Sequence, residues 1–167
     1  MHPMAAELKD ILGAGSIRTA RYDPLVRTPF YRSVPVPDES REGEPFTVVK
    51  VASAEEISRV LRLANESREP VYVRQGMGLV TPDLLRPEPP GSLVLDLSPM
   101  KWVRPNYQRA HVEVGPSVTE IELNRELASH GYGFPDRIGP VSWVGSLISL
   151  NTSGRLVDPY SGKPGTM

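Results

Sequence analysis

The chain has 167 residues, a length that suits one domain with a substantial buried core. Its 19 Lys and Arg residues, set against 20 Asp and Glu residues, argue against a nucleic-acid partner, because surfaces that bind nucleic acid usually carry a basic excess. The chain contains no cysteine, so disulfide scaffolds, thiolate zinc sites and cysteine nucleophiles are excluded.

The sequence predicts neither a membrane span nor export. No stretch approaches the roughly 20 consecutive apolar residues that a bilayer crossing requires. The N-terminus also lacks the basic start and the apolar run of a signal peptide. We therefore expect a protein of the cytoplasm.

Residues 1–45 are predicted to form a short helix followed by a proline-rich arm. Apolar residues recur at helical spacing from Met4 to Leu12, and Gly13 follows as a stop signal. Five prolines then punctuate a polar stretch that cannot hold a long helix or a central strand. This arm either wraps over the domain or contacts a partner, and a loose leader is the alternative.

Residues 46–100 are predicted to form a first small subdomain around a β-α-β unit with parallel strands. A β-rich run from Thr47 to Val51 precedes a capping box at Ser53-Ala54-Glu55-Glu56. Val71 to Arg74 forms the second strand of the unit, and Leu93 to Leu97 forms the next strand. The intervening helix is expected to present one apolar face made of Ile57, Val60, Leu61 and Ala64.

Residues 101–167 are predicted to begin a second subdomain. Strands from Lys101 to Arg104 and from His111 to Val114 are joined by a turn. A second capping box, Ser117-Val118-Thr119-Glu120, is expected to open a helix that ends at Gly131. Its apolar residues are Ile121, Leu123, Leu127 and Ala128.

A glycine-containing loop, Arg74-Gln75-Gly76-Met77-Gly78, follows the second strand directly. Loops at the carboxyl ends of parallel strands bind ligands in α/β folds, and glycines there let backbone N–H groups approach a phosphate. Thr81 stands where a dinucleotide fingerprint needs its third glycine, and no Gly-Lys-Ser or Gly-Lys-Thr marks a Walker loop. The pattern indicates a pyrophosphate cradle, with a plain tight turn as the alternative.

A second candidate segment comprises Pro135 to Gly139 and Val144 to Gly154. It contains a short apolar helix flanked by small residues. The N-terminal amides of such a helix are suited to face an anion or a flat ring. A packed turn of small residues is the alternative reading of the same segment.

Together the segments resemble the FAD-binding domain of the vanillyl-alcohol oxidase and p-cresol methylhydroxylase superfamily. The resemblance points to its branch of glycolate oxidase D subunits and D-lactate dehydrogenases, and it covers roughly residues 7–167. The segments that carry it, in matching order and spacing, are Phe46 to Val51, Leu63-Ala64-Asn65, Val71 to Gly78, Leu93 to Met100, Val112 to Pro116 and Val144 to Gly154.

The resemblance implies a mixed α/β (α+β) fold of the p-cresol methylhydroxylase type, with the flavin held between two α/β subdomains, the second of which is incomplete here. The loop from Arg74 would wrap the pyrophosphate, and the segment from Pro135 would line the flavin. The cofactor-binding residues implied are Arg74, Gln75, Gly76, Met77, Gly78, Leu79, Pro135, Gly139, Val144, Gly145, Ser146, Ser149, Asn151 and Gly154.

The function implied is that of the FAD-binding portion or subunit of a flavin-dependent oxidoreductase. Such an enzyme would oxidise a 2-hydroxy acid of the glycolate or lactate type by hydride transfer to the flavin. Without cysteine, and with Leu79 and Val80 after the loop, the FAD is expected to be non-covalent. Gln75, Met77 and Ser146 replace glycines of the family and favour the alternative, a non-catalytic structural subunit with a degenerate flavin site.

The resemblance also implies a partner, because the family's domain continues past the position of Met167. A missing C-terminal half, a second chain or a second copy would complete it, and a small-molecule substrate would bind through that partner. No catalytic residue is therefore named in this chain. The histidines His2, His111 and His130 lack metal-ligand spacing, so they are predicted to lie on the surface and no metal site is expected.

Overall fold

The computed structural model describes residues 4–21, 45–74, 92–134 and 143–149. These residues fall into two compact units, Met1–Pro99 and Met100–Met167. Within the described ranges, the helices are all too short or too polar to cross a membrane.

The first unit begins with helix α1, Ala5–Leu12, which confirms the predicted opening helix. Leu8 is fully buried on its inner face. The helix ends at Gly13, whose φ of 84° is readily adopted only by glycine and whose N–H donates to the carbonyl oxygen of Lys9 at 2.7 Å. A short 3-10 turn, Ala14–Ser16, then leads into the sheet.

Strand β1, Ile17–Arg21, is an element that the sequence analysis did not predict, because it placed these residues in the N-terminal arm. The strand pairs antiparallel with β2, Pro45–Lys50, and places Ile17 opposite Val49. It lies at the edge of the sheet, where a short and largely polar strand is tolerated. The 22–44 part of the proposed arm lies outside the described residues.

Strands β3, Val71–Arg74, and β4, Leu93–Asp96, complete a four-stranded sheet of order β1-β2-β4-β3. Both β2 and β3 run parallel to β4, which confirms the predicted parallel strands. The two strands of the β-α-β unit are not neighbours, however, since β4 lies between them. All four residues of β4 are buried, as expected for a central parallel strand covered on both faces.

Helix α2, Ala54–Glu66, connects β2 to β3. The Ser53 hydroxyl accepts a hydrogen bond from the Glu56 N–H at 3.2 Å, as the capping pattern predicts. The reciprocal bond differs from that prediction, because the Glu56 carboxylate accepts from the N–H of Ala52 at 2.7 Å. The predicted apolar face is also narrower: Val60 is buried, whereas Leu61 is 44% exposed.

The second unit opens with a hairpin of β5, Val103–Asn106, and β6, His111–Val114. Strand β5 lies two residues later than predicted and includes Pro105 opposite Val112. Proline is tolerated there because both strands of a two-stranded sheet are edge strands. The four-residue turn between them ends at Ala110, a non-glycine residue with a φ of 49°.

Helix α3, Glu120–Ala128, begins two residues later than the sequence analysis predicted. The N-cap is Thr119, and its reciprocal partner is Glu122, not the predicted Ser117 and Glu120. Ser117 is held in the preceding turn, where its N–H donates to the Met100 carbonyl and the Val118 N–H donates to that of Gly115.

The core of this unit lies between α3, the hairpin and helix α4, Val144–Ser149. Val118, Leu123, Leu127 and Val144 form its buried centre, and Val103, Tyr107, Val112, Val114 and Phe134 pack against it. The predicted short apolar helix is thus present at Val144. Ile121, which was predicted to lie on the apolar face of α3, is 44% exposed.

Candidate functional site

Of the first predicted site segment, the structure describes only the first residue, Arg74. Arg74 is the last residue of β3, and the predicted residues that follow it, Gln75, Gly76, Met77, Gly78 and Leu79, lie outside the described residues. Its carbonyl oxygen accepts a hydrogen bond from the Leu97 N–H at 2.8 Å, which fixes the point where the loop leaves the sheet. Arg74 therefore marks the carboxyl edge of the parallel strands, as predicted.

The Arg74 side chain carries a buried donor that no described residue accepts from. Its Nε is buried and has no hydrogen-bond partner in the described part of the chain. A buried N–H without an acceptor is costly, so an acceptor supplied by a ligand would offset that cost. A phosphate oxygen is such an acceptor, and guanidinium groups bind phosphates in a two-pronged geometry.

Two further charged residues end their strands at the same level as Arg74. Asp96 of β4 pairs in register with Arg74 on one side and with Lys50 of β2 on the other. Asp96 is buried and its Oδ1 accepts from the Ser98 N–H at 2.9 Å, whereas Lys50 is exposed. Among the described residues that end these three strands, two are cationic and one is a carboxylate, a balance that suits an anionic ligand.

Lys50 and Asp96 are residues that the sequence analysis did not assign to the site. Asp96 stood out in the sequence as the only polar residue of an otherwise apolar strand, Leu93–Asp96. Its register against Arg74 was not accessible, because the sequence does not reveal that β4 inserts between β2 and β3.

The second predicted segment is described only at α4. Its residues Val144, Gly145, Ser146 and Ser149 lie in this helix, and Pro135, Gly139, Asn151 and Gly154 lie outside the described residues.

The first amides of α4 have partners within the fold. The Val144 N–H donates to the Val118 carbonyl at 2.9 Å, and the Gly145 N–H donates to the Pro116 carbonyl at 3.0 Å. The Ser149 hydroxyl donates to the Ser146 carbonyl at 3.3 Å. These two amides therefore anchor α4 to the turn before α3. The prediction that they would be free to donate to an anion is wrong for Val144 and Gly145.

A cavity of about 250 Å³ lies elsewhere in the second unit, between the β5–β6 turn and the C-terminal end of α3. Tyr107, Tyr132 and Phe134 supply much of its apolar wall. The Tyr107 hydroxyl lies 2.8 Å from Nδ1 of His130, and the two rings stack at 4.3 Å. Of the predicted cofactor-binding residues in the described part of the second unit, which are Val144, Gly145, Ser146 and Ser149, none lines this cavity.

Comparison with known families gives a match to the family described as FAD binding domain, over residues 45–163. The matched range includes both candidate segments.

Two curated relatives are D-lactate dehydrogenases. The mitochondrial cytochrome-type enzyme of Arabidopsis thaliana is 31% identical over 132 residues, which is 78% of this chain and 22% of that protein. The enzyme of Archaeoglobus fulgidus is 30% identical over 115 residues, which is 68% of this chain and 26% of that protein.

Solved structures share the fold at low sequence identity. Alkyldihydroxyacetonephosphate synthase superposes with a TM-score of 0.71 at 17% identity, over 96% of this chain and 34% of that chain. p-Cresol methylhydroxylase with substrate bound superposes with a TM-score of 0.54 at 18% identity, over 75% of this chain and 24% of that chain. These likenesses confirm the predicted mixed α/β fold. The chain spans about a quarter of the length of the curated relatives it matches.

Proposed function

Because this chain belongs to the FAD-binding domain family, whose sequence pattern it matches over residues 45–163, we propose that it binds the FAD of an oxidoreductase acting on a 2-hydroxy acid. The family match is the observation that carries the proposal. The two D-lactate dehydrogenase relatives support the substrate class, since lactate is a 2-hydroxy acid. They give no support to the non-catalytic scaffold subunit kept as the alternative.

Arg74 and the loop after it are proposed to hold the pyrophosphate of FAD. The buried Nε of Arg74, which has no partner among the described residues, supports this role because a phosphate oxygen would provide the acceptor. We extend the role to Gln75, Gly76, Met77, Gly78 and Leu79 on the sequence pattern alone. Lys50, exposed at the same edge, adds positive charge to this end of the sheet.

The residues of α4 and its flanks are proposed to line the flavin with small groups. The N–H groups of Val144 and Gly145 already donate to the Val118 and Pro116 carbonyls, so they are not part of that contact. Gly145 is suited to a close approach because it lacks a side chain. The remaining residues assigned to this contact are Pro135, Gly139, Ser146, Ser149, Asn151 and Gly154.

FAD, when bound, supplies the acceptor for the hydride that a 2-hydroxy acid loses on oxidation. The residues of this chain would bind and orient the cofactor, and we assign none of them to the chemical step. Substrate-binding groups would come from further sequence of the same polypeptide, from a second chain or from a second copy. We propose non-covalent binding, because the chain contains no cysteine and because Leu79 and Val80, not a histidine, follow the loop. The cytoplasmic location and the boundaries at residues 45 and 100 stay predictions.

The proposal is tested by purifying the protein in its full natural length and recording its visible spectrum after gel filtration. We expect flavin absorbance to elute with the protein, and denaturation to release FAD into the filtrate. Addition of D-lactate or glycolate should bleach the flavin band under anaerobic conditions. A colourless protein that does not take up added FAD would overturn the proposal. A yellow protein that no 2-hydroxy acid bleaches would overturn the substrate class alone.

A further inference from the structure

Asn124 of helix α3 ties the helix to the chain that follows it. Its Oδ1 accepts a hydrogen bond from the Phe134 N–H at 2.8 Å, and its Nδ2 donates to the Glu120 carbonyl at 3.1 Å. A backbone N–H can only donate and a carbonyl oxygen can only accept, so each end of the side-chain amide has one role. The Asn124 amide is therefore held in a single orientation by two backbone partners.

These contacts lead the chain back along α3. After the helix, the Tyr132 N–H donates to the Leu127 carbonyl at 3.1 Å, and two residues later the Phe134 N–H donates to Asn124. The acceptors thus shift toward the N-terminal end of α3 as the chain advances, and helical side chains lean in the same direction. The Phe134 ring also packs against the buried core of the second unit. Residue 134 is therefore held beside α3 by both its backbone and its side chain.

The other flank of residues 135–142 lies at the N-terminal end of α3. Trp143 pairs with Thr119, the N-cap of α3, in an isolated β-bridge. The next N–H, that of Val144, donates to the Val118 carbonyl at 2.9 Å and begins α4. The residue that directly precedes each part of the second candidate segment is thus bonded to α3 or to its N-cap.

Resting on the FAD binding proposed above, we propose that Asn124 is a positioning residue that sets the path of the chain into the flavin-lining part that begins at Pro135. Asn124 acts through the Phe134 backbone and does not itself contact the cofactor. A chain that is already fixed at one end loses less conformational entropy when the residues after it order around a ligand. The hydrogen bond to Phe134 is partly buried, so water only incompletely replaces the Asn124 oxygen when that oxygen is removed.

The test uses Asn124→Ala and Asn124→Asp in the protein of full natural length, with FAD affinity measured by titration of the FAD-free form. Alanine removes both hydrogen bonds, whereas aspartate keeps an oxygen that accepts from the Phe134 N–H. Val103→Ala is the matched control for stability, because it removes apolar contact with the same core and leaves the hydrogen bonds of the chain after α3 in place.

We expect Asn124→Ala to weaken FAD binding about tenfold, a change of the size that loss of one hydrogen bond produces. Asn124→Asp should stay within about threefold of the wild type, since the acceptor for the Phe134 N–H remains. Val103→Ala should stay within about twofold, even though its melting temperature falls, because it is separate from the Asn124 contacts. Equal affinity losses for Asn124→Ala and Val103→Ala, or for the alanine and aspartate variants, would overturn the inference.

Hydrogen exchange separates this inference from the proposed function, because it needs no cofactor. In the FAD-free proteins, the Phe134 amide should exchange faster in Asn124→Ala than in the wild type and at nearly the wild-type rate in Asn124→Asp. Unchanged exchange of that amide in the alanine variant would overturn the positioning role. If the wild type binds no FAD, the proposed function fails, and the positioning role falls with it. If the wild type and Asn124→Ala bind FAD equally well, the positioning role alone fails.

Discussion

Gly115 lies against the backbone of Met100, so closely that a Cβ added at Gly115 would collide with the Met100 carbonyl oxygen. It would also lie 3.0 Å from Cε3 of Trp102. The approach is fixed by hydrogen bonds, because the Gly115 N–H donates to the Trp102 carbonyl at 2.8 Å. The segment that leads from β6 into α3 therefore packs closely against the segment before β5 and is hydrogen-bonded to it.

We expect Gly115→Ala to destabilise the protein by about 2 kcal/mol, within the range that overpacking produces. The colliding atom belongs to the backbone, so it has little freedom to move aside. Thermal unfolding followed by circular dichroism measures the effect. Gly15→Ala is the matched control, because nothing lies within 4 Å of a Cβ built there and its φ is not in the left-handed region. Equal melting temperatures for Gly115→Ala and the wild type would contradict the clash.

Replacing Ala110 with glycine should increase the stability of the protein. Its φ of 49° lies in the left-handed region, which a side chain disfavours, at the end of the turn between β5 and β6. We expect Ala110→Gly to raise the free energy of unfolding by about 0.5 kcal/mol and Ala110→Val to lower it by about 1 kcal/mol. Chemical denaturation of the three proteins checks the order. A valine variant as stable as the wild type would show that residue 110 does not adopt this conformation.

The central strand and the helices illustrate what local sequence can predict. The run from Leu93 to Leu95 is apolar, and together with Asp96 it forms the buried strand β4. Strand β1 was missed because Ile17–Arg21 is short and gains its place by pairing with β2, a contact that its own residues do not encode. The neighbours of β4 depend on the same kind of long-range choice, so the register of Asp96 with Arg74 was equally inaccessible.

The start of α3 shows a different limit. Two Ser/Thr-x-x-Glu patterns overlap there, Ser117 with Glu120 and Thr119 with Glu122. Spacing alone cannot choose between them. The choice is made by the turn before the helix, which holds Ser117 against the Met100 carbonyl. Tertiary hydrogen bonds of this kind also engage the first amides of α4, which the sequence analysis had assigned to a ligand.

Thr119 is consequently the residue whose loss should weaken the start of α3. Its Oγ1 accepts from the Glu122 N–H at 3.3 Å, and its own N–H donates to the Glu122 carboxylate at 2.9 Å. We expect Thr119→Ala to cost about 1 kcal/mol of stability, whereas Thr119→Ser keeps the hydroxyl and should cost well under half of that. Urea unfolding distinguishes the two. Equal losses for both variants would assign the effect to the missing methyl group and not to the cap.

The Glu122 carboxyl group should make the stability of the second unit depend on pH. Burial acts to raise the pKa of its carboxyl group from the ordinary 4.5, but hydrogen bonds from the Lys101 ammonium and from Thr119 outweigh it, so the pKa is lowered on folding. Lys101 Nζ lies 2.6 Å from Glu122 Oε1. A carboxyl group with a lowered pKa in the folded state stabilises the fold above its unfolded pKa, and that contribution disappears as the pH falls through the folded pKa.

We therefore expect wild type to melt at a higher temperature than Glu122→Gln at neutral pH, with the gap closing as the pH falls from about 5 to 3. Glutamine can still accept from the Thr119 N–H, so the comparison isolates the charge. The gap should be small, because the pair is partly exposed, and it should shrink further in high salt. Glu113→Gln, an exposed change on β6, controls for the loss of one carboxylate. A gap that stays constant from neutral to acidic pH would show that the Glu122 charge does not stabilise the fold.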